Sequence, residues 1–264
     1  MELPNGQKLT LVKVEVGTFE MSAKDGQNES TEVPHMVTLT RDFYLGRTEV
    51  TQAQWKAVMG TNPSSFKGDD LPVETVSWND AMEFCEKLNA MGKAPSGWKF
   101  SLPTETQWEY AARGGKRGRG CKYSGSNSID DVAWYYVNSG DSVMKESTRN
   151  SDRLKRNNCR PHPVGQKVPN ELGLYDMSGN VSEMCLDETF SYGISNVNPS
   201  NQQKAEFTVT YTNSVDRTGR YRIIRGGYWG NRSEDCRCAV RSPIGNILTS
   251  SSYGFRLALV PESY

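Results

Sequence analysis

Apolar and polar side chains alternate from Leu9 to Val16 and again from Met36 to Leu39, the two-residue period of half-buried strands. Tyr221–Ile224 and Phe255–Val260 read as further sheet segments near the end of the chain. Between them the period changes. Ala81, Phe84, Cys85 and Leu88 recur at i, i+3, i+4 and i+7, which predicts an amphipathic helix capped by Ser77 and ended before Gly92. Thr51 with Gln54 forms a capping-box pattern before a short helix over 52–59, closed by Gly60. Thr104 with Gln107 repeats it before Trp108, Ala111 and Ala112, with Gly114-Gly115 as the stop. Pro103 biases the residue before it away from helix and sharpens that start.

The remaining polar stretches read as loops. Lys116–Arg119 and Arg149–Arg160 are basic but rich in Gly, Ser and Asn, the composition of solvated loop, and Ser191–Asn213 reads as an insertion loop. No unit of 20–50 residues repeats and no Pro/Ser-rich linker divides the chain, so residues 1–264 are expected to form one domain.

Composition narrows the function classes. Among 264 residues, 31 basic side chains balance 31 acidic ones, so no net charge steers the chain to nucleic acid or an anionic membrane. With only 2 histidines and no HExxH, a histidine-rich metal centre is excluded. No apolar run reaches the ~18 residues of a membrane helix, and Met1-Glu2-Leu3-Pro4 has no basic n-region. A signal outside this sequence stays open. The 6 cysteines lack both a CxxC motif and a tight disulfide framework, which leaves the redox compartment undecided.

Longer motifs follow one another in a recognisable order. Leu11–Val14, Gly17–Met21 and Phe43–Thr51 are followed by Pro72-Val73 with Val76–Ala81. Leu102–Glu105 with Trp108–Gly115 comes next, then Asn170 with Gly173–Val181, Arg225–Gly227 and Gly254–Arg256. This series resembles the formylglycine-generating-enzyme (sulfatase-modifying factor) family along nearly the whole chain. The resemblance implies an α+β, C-type-lectin-like fold, irregular and loop-rich, with short antiparallel strands and a few helices. It also implies calcium ligands at Val181 and Glu183, a backbone carbonyl and a carboxylate of the hard-oxygen type. Ser182 and Met184 stand where two tryptophans are common in the family, so the surroundings of that site have changed.

The chemistry is where the chain departs from the resemblance. Members that make formylglycine use two reactive cysteines shortly after the Gly-Gly pair, a soft thiolate site for copper(I). No cysteine occupies the first of those positions here. Cys238 falls where a structural cysteine stands, and Cys236 is two residues away, on the same face if the segment is extended. Copper is not expected, no cofactor is required, and the chain is read as a non-enzyme.

A second branch of the family keeps the fold without the chemistry: the variable proteins of diversity-generating retroelements, to one of which, from the spirochaete Treponema, the whole chain is similar. In that branch adenine-directed mutation rewrites codons in a C-terminal window. The corresponding window is 225–256, with a framework of Gly226, Gly227, Trp229, Arg241 and Arg256. Between these lie Tyr228, Gly230, Asn231, Ser233, Glu234, Asp235, Val240, Ser242, Ile244, Gly245 and Asn246, most of them reachable from asparagine codons by changing adenines alone. The expected role is a receptor- or adhesin-like binding protein with Trp229 buried beneath variable side chains that face solvent. The expected partner is a macromolecule, protein in kind and not nucleic acid. The resemblance further implies a monomer at the cell surface, exported, and held to the membrane by a lipid anchor lying outside this sequence. A sulfatase-modifying oxidase with displaced cysteines and a nonvariable structural member of the fold remain as alternatives.

Overall fold

The computed structural model describes residues 1–22, 32, 34–188, 206–207 and 221–262. Chain order begins with β1 (Leu11–Val14), β2 (Thr18–Met21), β3 (His35–Thr38) and β4 (Phe43–Gly46). Two helices follow, α1 (Gln52–Met59) and α2 (Trp78–Ala90), then β5 (Trp98–Ser101) and α3 (Glu105–Ala112). Two short helices, α4 (Ile129–Val132) and α5 (Ser151–Arg156), interrupt a long irregular stretch. The C-terminal part holds β6 (Ser182–Glu188), β7 (Glu206–Phe207), β8 (Tyr221–Arg225), β9 (Arg241–Gly245), β10 (Tyr253–Gly254) and β11 (Ala258–Pro261).

The helix starts are local chemistry. Thr51, Ser77 and Thr104 each accept from the N3 backbone N–H while the side chain at N3, Gln54, Asp80 or Gln107, accepts from the cap's own N–H. Gly60 ends α1 in the left-handed region at φ 79°. On α2, Ala81, Phe84, Cys85 and Leu88 are all buried, as the spacing requires. Stretch 149–160 is not all loop: Asn150 caps α5 through the backbone N–H of Arg153. The predicted insertion loop 191–213 lies outside the described residues except for Glu206-Phe207, which pair as β7 with β3.

Strands β1, β4, β11 and β5 make one antiparallel sheet, with Ala258 opposite both Leu45 and Ser101. A second sheet runs β10-β6-β8-β9, in which β10 lies parallel to β6, and β6–β8 and β8–β9 are antiparallel. The third is β2-β3-β7. Trp55, Phe84 and Phe255 pack together where α1 and α2 cover the chain entering β11. Trp108, Tyr110, Ala111 and Ala112 of α3 pack with Ile223 of β8 and Ala258 of β11, so α3 is sandwiched between the first two sheets.

Four arginines, Arg222, Arg225, Arg237 and Arg256, are fully buried. Each meets a carboxylate, since a buried guanidinium cannot shed its charge. Arg225 reaches Glu109 of α3 and also donates to the carbonyls of Ala239 and Val240, 2.7 Å each. Glu109 accepts as well from Arg113 Nε at 2.8 Å and from the Ser22 backbone N–H at 2.7 Å. Burial alone would push this carboxyl up, but the guanidinia of Arg225 and Arg113 outweigh it and hold it below the ordinary carboxylate range. Replacing it should therefore strand buried positive charge. Glu109→Gln is expected to cost about 3–5 kcal/mol in urea denaturation, the range for breaking a buried pair from one side, and a loss within 0.5 kcal/mol would show that the pair does not hold the fold.

Candidate functional site

The window leaves β8 at Arg225, which sits opposite both Glu183 of β6 and Arg241 of β9. It returns through β10, on the other side of β6. Gly226 and Gly227 make the first turn at φ 87° and 73°. A Cβ on Gly227 would come 2.8 Å from Cys236 Sγ and from the Asp235 carbonyl, so the position admits no side chain. Gly254, at the far end, is restricted by the Val73 carbonyl, 2.7 Å from where its Cβ would stand.

Arginine–carboxylate pairs fix the window's backbone. Arg241 forks onto Glu105 with both bonds at 2.6–2.7 Å. Arg256 forks onto Glu183 at 2.5 and 2.6 Å and also donates to the carbonyls of Gly46 and Tyr175. Trp108 Nε1 donates to the same Glu183 oxygen as Arg256 Nε, at 2.7 Å. Trp229 is only half-buried, which corrects the expectation of a buried platform. Its indole N–H reaches the Ser251 carbonyl at 3.1 Å and its ring meets Phe66 and Tyr228 edge-on. Part of its surface already faces water, so truncation would remove less buried area than the full-burial case.

The expected display residues divide. Ser242 is exposed, and Tyr228, Val240, Glu234, Gly245 and Asn246 are half-buried. Ile244 is a correction: at 3% exposure it belongs to the core around Trp78 and Phe255, facing inward from β9. Gly230 is a second correction, buried where a Cβ would approach the Tyr228 ring to 2.7 Å. Asn231 and Asp235 are spent on the turn itself. Asn231 Oδ1 accepts from the Tyr228 backbone N–H at 2.9 Å, and its Nδ2 donates to Asp235 at 3.0 Å. Ser233 is tied through its N–H and hydroxyl to Glu146. Two residues that pattern-reading passed over stand outward: Ile247 is 71% exposed and Leu248 55%. Both lie in the β9–β10 loop, beyond the alternation that marks a strand, and consecutive aliphatics there gave no signal of their direction.

Calcium does not fit Glu183 as it stands: both of its oxygens accept from the Arg256 guanidinium, and one also from the Trp108 indole. The Val181 N–H donates to Glu49 Oε1 at 3.0 Å. The buried carboxylates Glu49 and Asp176 stand beside the same arginine. Burial, then the neighbouring charges of Asp176 and Glu183, push Glu49 well up; burial pushes Asp176 up to about 6. Asp176 is at φ 58° with one oxygen accepting from the Gly165 N–H at 2.7 Å and the other without a hydrogen bond.

The thiols are equally ill-suited to copper. Cys236 lies with Tyr123, Val132 and Tyr135, and burial pushes its thiol far up; Cys238 lies in the Trp108 cluster with Sγ 3.8 Å from the Ala112 carbonyl. Cys236 ends a 3₁₀ turn (Ser233–Cys236) and the single residue between them, Arg237, is extended, yet the two side chains enter different clusters.

The sequence model described as "Sulfatase-modifying factor enzyme 1-like domain" matches residues 2–260, and the chain belongs to that family. It is 40% identical to Chaperone protein LppX of Paenibacillus barcinonensis over 208 residues, 67% of this chain and 71% of that protein. It is 29% identical to the formylglycine-generating enzyme of Mus musculus over 79% of this chain, which amounts to 50% of the enzyme's length. Among solved structures, Treponema denticola variable protein 1 superposes with a TM-score of 0.77 at 28% identity, covering 97% of both chains. PvdO from Pseudomonas aeruginosa shares the fold, with a TM-score of 0.68 at 23% identity. The architecture is thus the α+β, C-type-lectin-like one of the formylglycine-generating-enzyme type.

Asp176 supplies a pH test of the buried cluster. A carboxyl raised in the folded state keeps a proton that the unfolded chain releases, so its contribution to stability is complete below the unfolded value near 3.8 and is lost as pH rises through about 6. Asp176→Asn keeps an acceptor for Gly165, tolerates the left-handed backbone, and removes the ionisation. Its melting temperature relative to the parent is expected to be higher at pH 7.5 than at pH 4.5; an equal difference at both would mean that Asp176 ionises freely.

Proposed function

We propose that the chain is a non-catalytic binding protein that presents part of segment 225–256 to a macromolecular partner, protein in kind, on a scaffold shared with the formylglycine-generating enzymes. The observation that carries this reading is the contrast within the segment. Arg225, Arg241 and Arg256 lock its backbone to carboxylates, while Ser242, Ile247 and Leu248 face solvent on the β9–β10 side. Side chains standing on a pinned backbone change with little effect on stability. Adjacent exposed aliphatics are the kind of feature that marks an interaction surface.

The likeness to Treponema denticola variable protein 1 supports diversification by a retroelement as the source of the displayed side chains, and with it an exported, surface-held protein. A second reading is favoured by the higher identity to Chaperone protein LppX: a constant surface for one protein client. Sibling coding sequences from one genome separate the two. Under diversification, adenine-directed differences are expected at 228, 234, 240, 242 and 246–248. They should be absent at 226, 227, 230, 244 and 256, where burial or backbone geometry forbids change, and at 229, where the indole N–H holds the Ser251 carbonyl. An invariant window would remove the retroelement and leave the constant surface.

The oxidase alternative requires a thiolate pair, and Cys236 and Cys238 are sealed in separate clusters. Purified protein given copper(I), oxygen and a Cys-x-Pro-x-Arg peptide is expected to produce no formylglycine by mass spectrometry; turnover above a protein-free blank would restore the enzyme reading.

A further inference from the structure

Overall neutrality conceals a local imbalance next to the window. Residues 142–145, Thr148, Arg153, Arg156 and Asn157 surround an open groove of about 560 Å³. Lys145, Arg153 and Arg156 are exposed along it, and none of these three side chains makes a hydrogen bond or ion pair among the described residues. No carboxylate lines it among the described residues. The acids on either side are turned elsewhere: Asp141 accepts from Asn158 at 2.6 Å and Arg160 at 2.8 Å, and Glu146 holds Ser233. Asp152 is exposed in the first turn of α5, outside the lining. Within the lining itself, no acidic side chain offsets the three cations.

Residues interleaved in sequence with the groove lining support the window. Arg149 Nε donates to the Gly230 carbonyl at 2.6 Å, Glu146 binds Ser233, and Leu154 Cδ1 would lie 3.4 Å from a Cβ on Gly230. The segment that carries the three cations is thus fastened to the window at Gly230 and Ser233. The lining is not purely ionic, because Val143, 81% exposed, and Met144 share it. A volume in the range of ~300–1,000 Å³ suits a compact ligand, whereas a nucleic-acid backbone needs a long basic track. Mixed aliphatic and cationic walls fit carboxylate side chains carried on a polypeptide.

We propose that the groove is a constant subsite for an acidic stretch of a protein partner, adding charge-dependent affinity beside the window; this rests on the reading of the chain as a binding protein. Three cations set apart from the changing positions would draw an acidic segment to the site by long-range attraction. Contacts at the window would then decide which partner stays.

The probe is fluorescein-labelled hexaglutamate, followed by anisotropy with the full chain at 50 and 200 mM salt. The parent is expected to bind and to weaken as salt rises. Lys145→Gln/Arg153→Gln/Arg156→Gln should bind at least tenfold more weakly while melting like the parent, since all three side chains are exposed. Val168→Ser, at an exposed aliphatic outside both the groove and the window, should leave hexaglutamate binding unchanged. Absence of binding, undiminished binding by the triple variant, or preferential binding of a sulfated oligosaccharide or an oligonucleotide of equal charge would overturn the proposal. Hexaglutamate binding that depends on the three cations, found together with an invariant window among sibling genes, would retain the groove and remove only the diversified display.

Discussion

A guanidinium taken out of water must be met by a carboxylate, and in this chain that requirement ties the separate layers together. Arg256 leaves β10 toward β11 and forks onto Glu183 of β6, while Trp108 of α3 donates to the same carboxylate. One acidic side chain thus joins a helix to two sheets. Arg225 and Arg241, opposite one another on β8 and β9, make the equivalent junction with Glu109 and Glu105 of α3. Such pairs contribute less to net stability than their Coulomb attraction suggests, because both partners lose hydration. What they supply is directional: a fork accepts one geometry, and the backbone carrying it is held accordingly.

Local chemistry was legible from the residues alone, and long-range chemistry was not. Capping boxes act across three residues, so Thr51, Ser77 and Thr104 announced their helices. The carboxylate partners of Arg225, Arg241 and Arg256 stand 116, 136 and 73 residues away, and no spacing rule links them. The resemblance to the formylglycine-generating enzymes brought in the fold and the framework glycines, but not which window side chains face inward. Ile244 lies in the core and Ile247 in solvent, a difference set by where β9 stops pairing with β8 at Gly245 and Tyr221. Composition likewise averaged away the groove at Lys145, Arg153 and Arg156, because a zero total says nothing about where charges gather.

The thiols are packed as ordinary core side chains. Cys236 and Cys238 are packed as small apolar groups against Tyr135 on one side and the Ala112 carbonyl on the other. The same turn that would have to hold two sulfurs together instead sends them into different clusters. Glu183 is likewise committed inside the fold: its oxygens face an arginine and an indole. In both places the fold supplies position, and the neighbouring side chains decide what that position does.

The strand order β10-β6-β8-β9 has a bearing on length as well as on composition. The window departs from β8 and comes back as β10, so its ends are anchored on either side of β6, about 10 Å apart by strand spacing. The tip itself runs from Gly245 on β9 to Tyr253 on β10, about 14 Å by strand spacing. The carbonyls of Asn246, Ser250 and Ser252 accept from Asn79, Thr75 and Ser182, which leaves 247–249 as the stretch free of such ties to the rest of the fold. Closing a longer loop costs only about 0.6 kcal/mol for each doubling of its length. Insertions within 247–249 are consequently within the tolerance of the fold, and relatives built on the same anchors can differ in the reach of the loop, presenting a flat face in one case and a projecting finger in another.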